Sequence, residues 1–386
     1  MRSRHAVMLV RNRYTHDSRV EKEARTLVDA GWRVTVVADA ASDLSTRERR
    51  PGGEHVVRVA RRGPRVPGLR FVVHELRLAG VLAGLRPDVL HAHDSNALVP
   101  VALAAWRLDV PFVYDAHDLW LGRPRRERGR IAFGLQQAWY RAVQRVLVPR
   151  AAATLTVSPP IAEHLRRRYG LRRVVLVPNY PDPKDGRGSV DRRLRDLPGG
   201  DRIAPDRPIV LYLGGLMAGR GLETLVDAIA LLDRPQLVLL GDGLMAGPLT
   251  ARAAARGIGH RVHLLPPVPP DEVVAVARSA DVGVSPIPPS CDNYRMSLPN
   301  KLFQYLAAGI PVVASDFPQV REVVEGSGGG VVADPNSPRA MAQAIASVLD
   351  DPTAARGMGG RGRAAIDDRF NWSVAADRLL EVYAEL

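Results

Sequence analysis

The sequence of 386 residues contains only one cysteine and no long apolar segment. A single cysteine, Cys291, excludes a framework of intramolecular disulfides and favours a reducing compartment. The N-terminus lacks the basic region, apolar core and cleavage site of a secretory signal. No apolar run reaches the roughly 18 to 20 residues that a membrane-spanning helix needs. These absences predict a cytoplasmic protein.

Aromatic residues and lysines are also scarce. Aromatic side chains make up 5% of the chain, and the formal net charge of +13 comes almost entirely from arginine. Interleaved basic and aromatic residues, which bind single-stranded nucleic acid, are not evident, and we predict no nucleic-acid partner. Such a charge also suits a phosphorylated substrate, an anionic membrane or a solvated arginine-rich surface. A basic nucleic-acid-binding protein is the remaining alternative, and it would show steeply salt-dependent binding.

The first predicted loop contains no glycine. Apolar periodicity predicts a strand over residues 5–10, a helix over 18–30 that is capped by Asp17 or Ser18, and a strand over 34–38. This order opens a doubly wound α/β sheet. The loop lacks the Gly-x-Gly-x-x-Gly fingerprint of a dinucleotide site, which argues against a nicotinamide oxidoreductase. The chain also lacks a Gly-x-Ser-x-Gly elbow, which disfavours a serine hydrolase.

The pattern of strands and helices occurs twice along the chain. Residues 180–208 interrupt it with proline, glycine and charged residues, which indicates a linker. We therefore predict an N-terminal domain over 1–182, a linker over 183–207 and a C-terminal domain over 208–371. A last helix over 372–386 is predicted to pack back on the first domain. Two α/β domains of similar size imply a cleft between them.

Two predicted strands of the first half end in His-Asp. The polar residues at these ends are His91, His93, Asp94, Asp115, His117 and Asp118. Open α/β sheets bind ligands at the carboxyl ends of their strands. The His-x-His spacing also occurs in metal sites, but no cysteine and no clear third ligand accompany it, so we predict no metal. A carboxylate on either side of His117 is able to fix its tautomer or raise its pKa.

Two glycine turns follow predicted strands of the second half. The run LGGLMAGRG places Gly214 and Gly215 after a strand and Arg220 before a helix. Glycine lets the backbone approach a ligand closely, and arginine is able to bind a diphosphate through two N–H groups. The run LGDG places Gly241 and Asp242 at the same edge of the second sheet. These turns predict a binding site at that edge.

The segment over residues 293–315 predicts a turn, a helix, a second turn and a buried strand. Pro299 suits the first helical position, and Gly309 ends the helix. The unpaired N–H groups of residues 298–301 and the positive end of the helix dipole lie beside Lys301. The helix start is therefore a predicted site for a phosphate-bearing ligand.

The same segment resembles the donor-phosphate motif of the family-4 retaining glycosyltransferases, in its Pro-Asn-Lys version. Its sequence is LPNKLFQYLAAGIPVVAS, and further motifs of the family are matched in order by PDVLHAHD, VYDAHD, TVS, VPN, LYLGGLMAGRGLETLVDAI, LVLLGDG and FNW…LLEVY. The resemblance covers nearly the whole chain. It implies the α/β GT-B architecture, in which two Rossmann-like doubly wound domains face a central cleft. It also implies transfer of a sugar from a nucleotide-diphosphate donor to a hydroxyl of a glycan, a lipid-linked acceptor or a small natural product.

The resemblance implies that the second domain binds the donor, with Arg220 and Lys301 on its diphosphate. Gln304 stands where the family has the second glutamate of a pair that binds the ribose, and Met296 stands at the first. Both positions depart from that pattern. The donor-binding residues predicted in this way are Gly214, Gly215, Arg220, Gly241, Asp242, Leu298, Pro299, Asn300, Lys301 and Gln304.

The first domain is expected to supply the catalytic group and to bind the acceptor. His117 matches the histidine that the family places over the reacting sugar. The predicted acceptor-side residues are Asp17, Arg19, His93 and Asp94. The resemblance implies retention of configuration without a protein nucleophile, the departing phosphate taking the proton of the acceptor. No metal and no cofactor are expected.

Other functions and partners are also considered. A nucleotide-sugar epimerase or hydrolase of the same fold is one alternative. A non-catalytic protein that binds a nucleotide sugar is another, because residues 296 and 304 are altered. Five arginines precede an amphipathic helix predicted over 131–148, and they predict peripheral contact with an anionic membrane or a phosphorylated lipid acceptor. These arginines are Arg123, Arg125, Arg126, Arg128 and Arg130.

Overall fold

The computed structural model describes residues 3–15, 17–61, 66–123, 130–182 and 193–386. These residues form two compact units. Unit 1 contains Met1–Asn179, Cys291–Ser297 and Ala375–Leu386, and unit 2 contains Tyr180–Ser290 and Leu298–Val374. Both units consist of alternating strands and helices, as the sequence predicts for an α/β protein.

Strands and helices alternate along most of the described chain. The strands are β1 (His5–Leu9), β2 (Arg33–Asp39), β3 (Arg47–Arg49), β4 (His55–Val59), β5 (Val89–His93), β6 (Phe112–Ala116), β7 (Ala153–Thr156), β8 (Val175–Leu176), β9 (Ile209–Leu213), β10 (Gln236–Leu240), β11 (Val262–Leu265), β12 (Val282–Ser285), β13 (Val312–Ser315) and β14 (Gly330–Ala333). The helices are α1 (Ser18–Asp29), α2 (Pro67–Gly84), α3 (Leu98–Leu108), α4 (Arg130–Leu147), α5 (Pro159–Tyr169), α6 (Leu222–Ala230), α7 (Ala246–Ala255), α8 (Val273–Ala277), α9 (Asp292–Met296), α10 (Asn300–Ala308), α11 (Pro318–Val324), α12 (Pro338–Leu349), α13 (Pro352–Asp368) and α14 (Trp372–Ala384).

Each unit is built on one sheet. In unit 1 the strand order is β3-β4-β2-β1-β5-β6-β7-β8, and neighbouring strands are parallel except β3 and β4. In unit 2 the order is β11-β10-β9-β12-β13-β14, and the pairings are parallel. The order reverses between β1 and β5 and between β9 and β12. The carboxyl ends of strands at such a reversal are where open α/β sheets bind ligands. The two sheets confirm the predicted doubly wound fold.

The central strands are apolar because helices cover both faces of each sheet. Every residue of β1, β5, β6, β9 and β10 is buried, which is typical of parallel sheets. In unit 2, alternate residues of β9 belong to different apolar clusters, Leu211 to one and Tyr212 to the other. The sheet of unit 2 therefore has a core on each of its faces.

The helix ends agree with the local signals in the sequence, with one shift. Asp17 caps α1 and accepts a hydrogen bond from the N–H of Val20 at 3.3 Å. Gly309 ends α10 with a φ of +74°, a conformation that favours glycine. Pro299 is the N-cap of α10 instead of its first helical residue.

Helix α13 is absent from the sequence prediction. Its sequence, PTAARGMGGRGRAAIDD, contains four glycines, which are poor helix formers. The structure explains one of them, because a β-carbon added at Gly359 would lie 2.0 Å from the carbonyl oxygen of Gly309 at the end of α10. Close packing between α13 and the end of α10 therefore requires the glycine that obscures the helix in the sequence.

The chain passes between the units at places that differ in part from the predicted boundaries. Cys291–Ser297 belongs to unit 1, although the sequence division assigns it to the second domain. The last helix leaves unit 2 after Val374, and its remaining residues belong to unit 1. Within the predicted linker, Leu194, Leu197 and Ile203 are buried in a core of unit 2.

The predicted membrane contact depends partly on residues outside the description. Arg125, Arg126 and Arg128 lie outside the described residues. Among the helices that are described, none has the length and apolar character required to cross a bilayer.

Candidate functional site

His117 follows strand β6 and is held by the carboxylate two residues before it. Its Nε2 lies 2.8 Å from Oδ2 of Asp115 and 3.0 Å from Nδ1 of His93. The His117 side chain is 20% exposed, whereas that of Asp115 is fully buried. Nε2 of His117 therefore donates to the carboxylate, and Nδ1 is the ring nitrogen that remains for a reactant.

Asp115 is held in turn by Arg19 of α1. Nε and Nη2 of Arg19 donate to the two carboxylate oxygens of Asp115 at 2.9 and 2.8 Å, and Nη1 donates to the carbonyl of Val177. A two-pronged bond of this kind fixes the plane of the carboxylate. Arg19 is only 4% exposed. The Arg19 guanidinium is thus buried against Asp115, and its contact with an acceptor stays a prediction.

These contacts decide which groups carry a proton. Burial opposes the ionisation of Asp115, but the Arg19 guanidinium and His117 hold the pKa of that carboxyl well below its usual range. Burial also opposes a charge on His117, but the Asp115 carboxylate raises the pKa of the imidazole to about 9. At neutral pH the site therefore presents a histidine cation that donates a hydrogen bond.

A second layer of titratable groups lies behind Asp115. The rings of His91 and His93 stack with their centres 4.2 Å apart, and Nδ1 of His91 lies 2.9 Å from the hydroxyl of Tyr383. Burial, followed by the charge of Asp115, raises the pKa of the Glu23 carboxyl to about 8. Burial lowers the pKa of both His91 and His93. At neutral pH this layer holds a carboxylic acid and two neutral imidazoles.

This layer contains residue types that also occur in metal sites. Potential ligand atoms of Glu23, His91, His93 and Asp115 lie within 4.8 Å of one another. The oxygens of Asp115 are already bonded to Arg19 and His117. The planes of the two stacked imidazoles differ by 18°. The arrangement favours a proton on Glu23 over a cation between these side chains.

His93 has a structural contact that sequence reasoning does not foresee, and Asp17 has one besides its predicted cap of α1. His93 is 3% exposed and contacts His117, and its predicted contact with the acceptor stays a prediction. Asp17 caps α1, and its Oδ2 accepts from Nδ2 of Asn12 at 2.7 Å. Asp17 remains partly exposed, and its role towards an acceptor stays a prediction.

The loop after His117 is anchored by Arg123. Nη2 of Arg123 lies 2.9 Å from Oδ2 of Asp94 and 2.9 Å from Oδ2 of Asp118. The guanidinium also lies over the ring of Trp120, 4.1 Å from its centre. Asp94, predicted on the acceptor side, is therefore ion-paired at the carboxyl end of β5.

The segment Cys291–Ser297 supports the same loop from within unit 1. Asn293 donates from Nδ2 to Asp118 at 3.1 Å, and its Oδ1 accepts from the N–H of Leu119 at 2.7 Å. Ser158 donates to the carbonyl of Met296 at 2.6 Å. Met296 packs against the core of unit 1, which accounts for an apolar residue where the family has a glutamate.

In unit 2 the two predicted glycine turns lie against each other at the carboxyl ends of β9 and β10. Gly214 has a φ of +111° and Gly241 a φ of +150°. A β-carbon added at Gly241 would lie 2.3 Å from the carbonyl oxygen of Gly214. Only glycine permits this approach. The two turns therefore form one continuous backbone surface, on which Gly214 and Gly215 are exposed.

Lys301 is a buried lysine beside this surface. It is 9% exposed, and its Nζ lies 3.5 Å from the centre of the Tyr212 ring. A β-carbon on Gly214 would come within 3.9 Å of the same Nζ. Burial, and then the charge of Arg220, lower the pKa of Lys301 well below its usual range. Both effects oppose a positive charge on Lys301, and a bound anion would favour it.

The other predicted donor residues lie around this group with different exposures. Gln304 is half-buried on the same face of α10, three residues after Lys301. Asn300 and Asp242 are exposed, and Leu298 and Pro299 are half-buried. The structure brings together the residues that sequence reasoning places on the diphosphate. These are Gly214, Gly241, Arg220 and Lys301.

The chain matches two glycosyltransferase profiles. Residues 18–185 match Glycosyltransferase Family 4, and residues 207–351 match Glycosyl transferases group 1. A D-inositol 3-phosphate glycosyltransferase from Xylanimonas cellulosilytica is 30% identical over 314 residues, which cover 77% of this chain and 72% of that relative. The chain belongs to the family-4 glycosyltransferases.

The fold of this glycosyltransferase is also that of solved structures. A sucrose-phosphate synthase from Thermosynechococcus elongatus superposes with a TM-score of 0.79 at 21% identity, covering 99% of this chain and 98% of the other. The HepE protein of Anabaena in complex with UDP-glucose has a TM-score of 0.76 at 16% identity and covers 99% of this chain and 100% of its own. These similarities confirm the predicted GT-B architecture.

Several residues of the glycosyltransferase site are not identified by sequence reasoning. The spacing of four between Arg19 and Glu23 on α1 is a local signal of contact between the two side chains. The hydrogen bond between Asn293 and Asp118 has no such local signal, because 175 residues separate the two. Tyr212 reads as an ordinary strand residue, although its ring supports Lys301.

Proposed function

We propose that this chain transfers a sugar from a nucleotide-diphosphate donor to a hydroxyl acceptor, with retention of configuration and without a metal ion. The observation that carries the proposal is Lys301, a buried lysine at the start of α10 whose neighbouring charge is the cation Arg220. A diphosphate would bring negative charge to Lys301, whose protonated form burial and Arg220 disfavour. The glycosyltransferase relatives and the UDP-glucose in the HepE structure support a ligand of this class.

The reaction follows from the charges that develop during transfer. The bond between the sugar carbon and the diphosphate oxygen breaks, a bond to the acceptor oxygen forms, and the acceptor proton passes to the departing phosphate. Negative charge grows on the diphosphate, where Arg220 and Lys301 stabilise it. Each well-placed donor is typically worth ~3 kcal/mol in such a site. These two cations supply, without a divalent ion, the charge stabilisation that the leaving group needs.

His117 is proposed to act on the transferred sugar. Its Nε2 is bound to Asp115, so Nδ1–H donates to a sugar hydroxyl or a phosphate oxygen. The raised pKa of His117, about 9, keeps this donor charged at neutral pH. Asp94, Asp17 and the ion-paired Arg123 are the polar groups proposed for the acceptor side.

Retention without an enzyme nucleophile is supported by the state of the nearby carboxyls. Asp115 is fully buried and bonded through both oxygens. Glu23 is also fully buried, and its raised pKa keeps it protonated. Neither group is available to attack a sugar carbon. A double displacement through these residues is therefore disfavoured.

The test is a screen of nucleotide sugars in which product and free nucleotide are both detected by mass spectrometry. The expected result is transfer with the anomeric configuration of the donor kept, in the presence of a metal chelator. Lys301→Ala and Arg220→Ala should each reduce turnover about a hundredfold, and Arg339→Ala, an exposed arginine of α12, should not. Full activity of both Lys301→Ala and Arg220→Ala would disprove the role of these residues on the diphosphate.

The same screen separates the alternative functions. An epimerase would change the donor without an acceptor, and a hydrolase would release free sugar as its main product. A binding protein without activity would show nucleotide-sugar affinity and no turnover. Inversion of configuration, or full loss of transfer in chelator, would contradict the mechanism proposed here.

A further inference from the structure

Helix α2 carries an apolar stripe on its outer face. Its inner residues, which include Leu78 and Leu82, pack in the core of unit 1. Leu69, Val72 and Leu76 are 52%, 50% and 57% exposed. Their spacing of three and four places them on one side of the helix. An ordinary surface helix has polar residues on this side, so this face of α2 is suited to contact something other than water.

Helix α4 carries a second apolar stripe. Leu135 and Trp139 are 69% and 45% exposed, and Val146 continues the stripe further along the helix. The rings of Phe71 and Trp139 meet edge to face with their centres 5.8 Å apart, so the stripes of α2 and α4 adjoin. Among the described residues, eight of the twelve exposed large apolar side chains lie on these helices or next to them. They therefore form a patch and are not scattered singly.

The charged side chains that α2 and α4 are seen to expose are all basic. The sequence of α4 contains no acidic residue, and the only one in α2, Glu75, is buried. Arg70, Arg141 and Arg145 are exposed on the same helices. Apolar residues, a tryptophan and arginines without carboxylates are the composition of helices that lie in the interface of an anionic membrane.

We propose that the outer faces of α2 and α4 form a docking face, defined by Leu69, Val72, Leu76, Leu135 and Trp139, that binds an anionic lipid bilayer. The apolar side chains enter the boundary between headgroups and acyl chains, and the arginines contact the phosphates. This inference uses the proposed function in one respect, which is that the acceptor of the sugar would be presented at that surface. It extends the predicted contact of the basic loop to residues that the sequence alone leaves inconspicuous.

The charge argues against a second copy of the chain as the occupant. A symmetric dimer would bring the same patch together twice. Each copy would contribute the same arginines and no exposed carboxylate from these helices, at a net charge of +13 per chain. Like charges in an interface oppose association. An anionic bilayer supplies the complementary charge that another copy lacks.

The test is flotation of the 386-residue protein with vesicles at physiological salt. Vesicles of phosphatidylglycerol and phosphatidylcholine are compared with vesicles of phosphatidylcholine alone. The triple variant Leu69→Ser, Val72→Ser, Leu76→Ser should lose binding at least tenfold. Leu231→Ser with Leu244→Ser, two residues of unit 2 that are 59% and 85% exposed, is the matched control and should bind as the wild type does. Arg141→Gln and Arg145→Gln should each weaken binding about fivefold on the anionic vesicles.

Three results would overturn the inference. The first is that the wild type does not bind anionic vesicles, or binds neutral ones equally well. The second is that the control loses binding as much as the triple variant. The third is that light scattering shows a dimer that the triple variant abolishes. Donor turnover without vesicles should be unchanged in the triple variant, so failure of vesicle binding and failure of glycosyl transfer are measured separately.

Discussion

Oδ2 of Asp115 lies 2.8 Å from Nε2 of His117, and this one contact decides what the histidine does. The contact turns Nε2 towards the carboxylate, which leaves Nδ1 as the nitrogen proposed to face a reactant. It also raises the pKa of the ring, so the imidazole is charged at neutral pH. The same carboxylate is held by Arg19 from the first helix of unit 1. Arg19 and Asp115 are therefore positioning residues, and His117 is the group proposed to touch the sugar.

The first prediction concerns the pH dependence of turnover. The pKa of His117 is raised from 6.5 to about 9, so its cation persists at neutral pH and is lost as the pH rises through about 9. Wild-type turnover should fall over that range. In Asp115→Asn the descending limb of the pH profile should move down towards pH 6.5. At pH 7.5 the fraction of His117 that is charged would then be about tenfold smaller than in the wild type.

The measurement is a pH profile of turnover for both proteins. Asp118→Asn is the matched control, because Asp118 also flanks His117 but bonds to Arg123. Its descending limb should stay near that of the wild type. Melting curves establish that each variant is folded. An unshifted limb in Asp115→Asn would refute the role of this carboxylate.

The second prediction concerns stability and Glu23. Its pKa is raised from 4.5 to about 8, so the folded state holds a proton that the unfolded chain releases. This contribution to stability is complete below pH 4.5 and is lost as the pH rises through about 8. Between pH 5.5 and 7.5 the wild type should lose up to about 1.4 kcal/mol of unfolding free energy per pH unit relative to Glu23→Gln.

Urea unfolding of both proteins at several pH values measures this difference. The comparison with Glu23→Gln cancels the opposite trend from His91 and His93, whose pKa values are lowered. Parallel stability curves for the two proteins would show that Glu23 is ionised in the folded state.

The third prediction concerns protons taken up when the nucleotide binds. Burial lowers the pKa of Lys301, and a bound diphosphate should raise it again because it supplies an opposite charge. Calorimetry near pH 9, in buffers of different ionisation enthalpy, should detect net uptake of protons by the wild type. Lys301→Met should abolish that uptake. Equal uptake by the two proteins would assign the proton to another group.

The fourth prediction concerns Gln304, which lies on the Lys301 face of α10. If its amide oxygen accepts a ribose hydroxyl, Gln304→Glu should bind the donor as well or better, because a charged acceptor makes a stronger hydrogen bond. Gln304→Leu should lose about 1 to 3 kcal/mol, because it leaves hydroxyls unpaired. Titration calorimetry that gives one affinity for all three proteins would place Gln304 outside the site.

Local sequence signals determined the elements of this protein. Apolar periodicity located the main strands and helices, because each element buries one face or one run of its own residues. Asp17 and Gly309 marked helix ends through their own backbone and side-chain chemistry. The glycine turns at Gly214 and Gly241 were also predictable from the sequence, because two backbones that approach this closely leave no room for a side chain. From these signals alone the sequence supports two doubly wound sheets and a phosphate site in the second.

Tertiary structure alone decided how the site is assembled. The sequence offers Asp115 and Asp118 equally as partners of His117, and only the direction of their side chains separates them. The sequence suggests that Arg19 is a loop residue near an acceptor. In the structure its side chain is buried and bonded to Asp115, which is 96 residues away. The apolar residues on the outer face of α2 resemble core residues in the sequence. They are exposed because Leu78 and Leu82, on the inner face, are the ones that pack in the core. Local signals reflect neighbours in the chain, whereas burial and charge pairing depend on residues that only folding brings together.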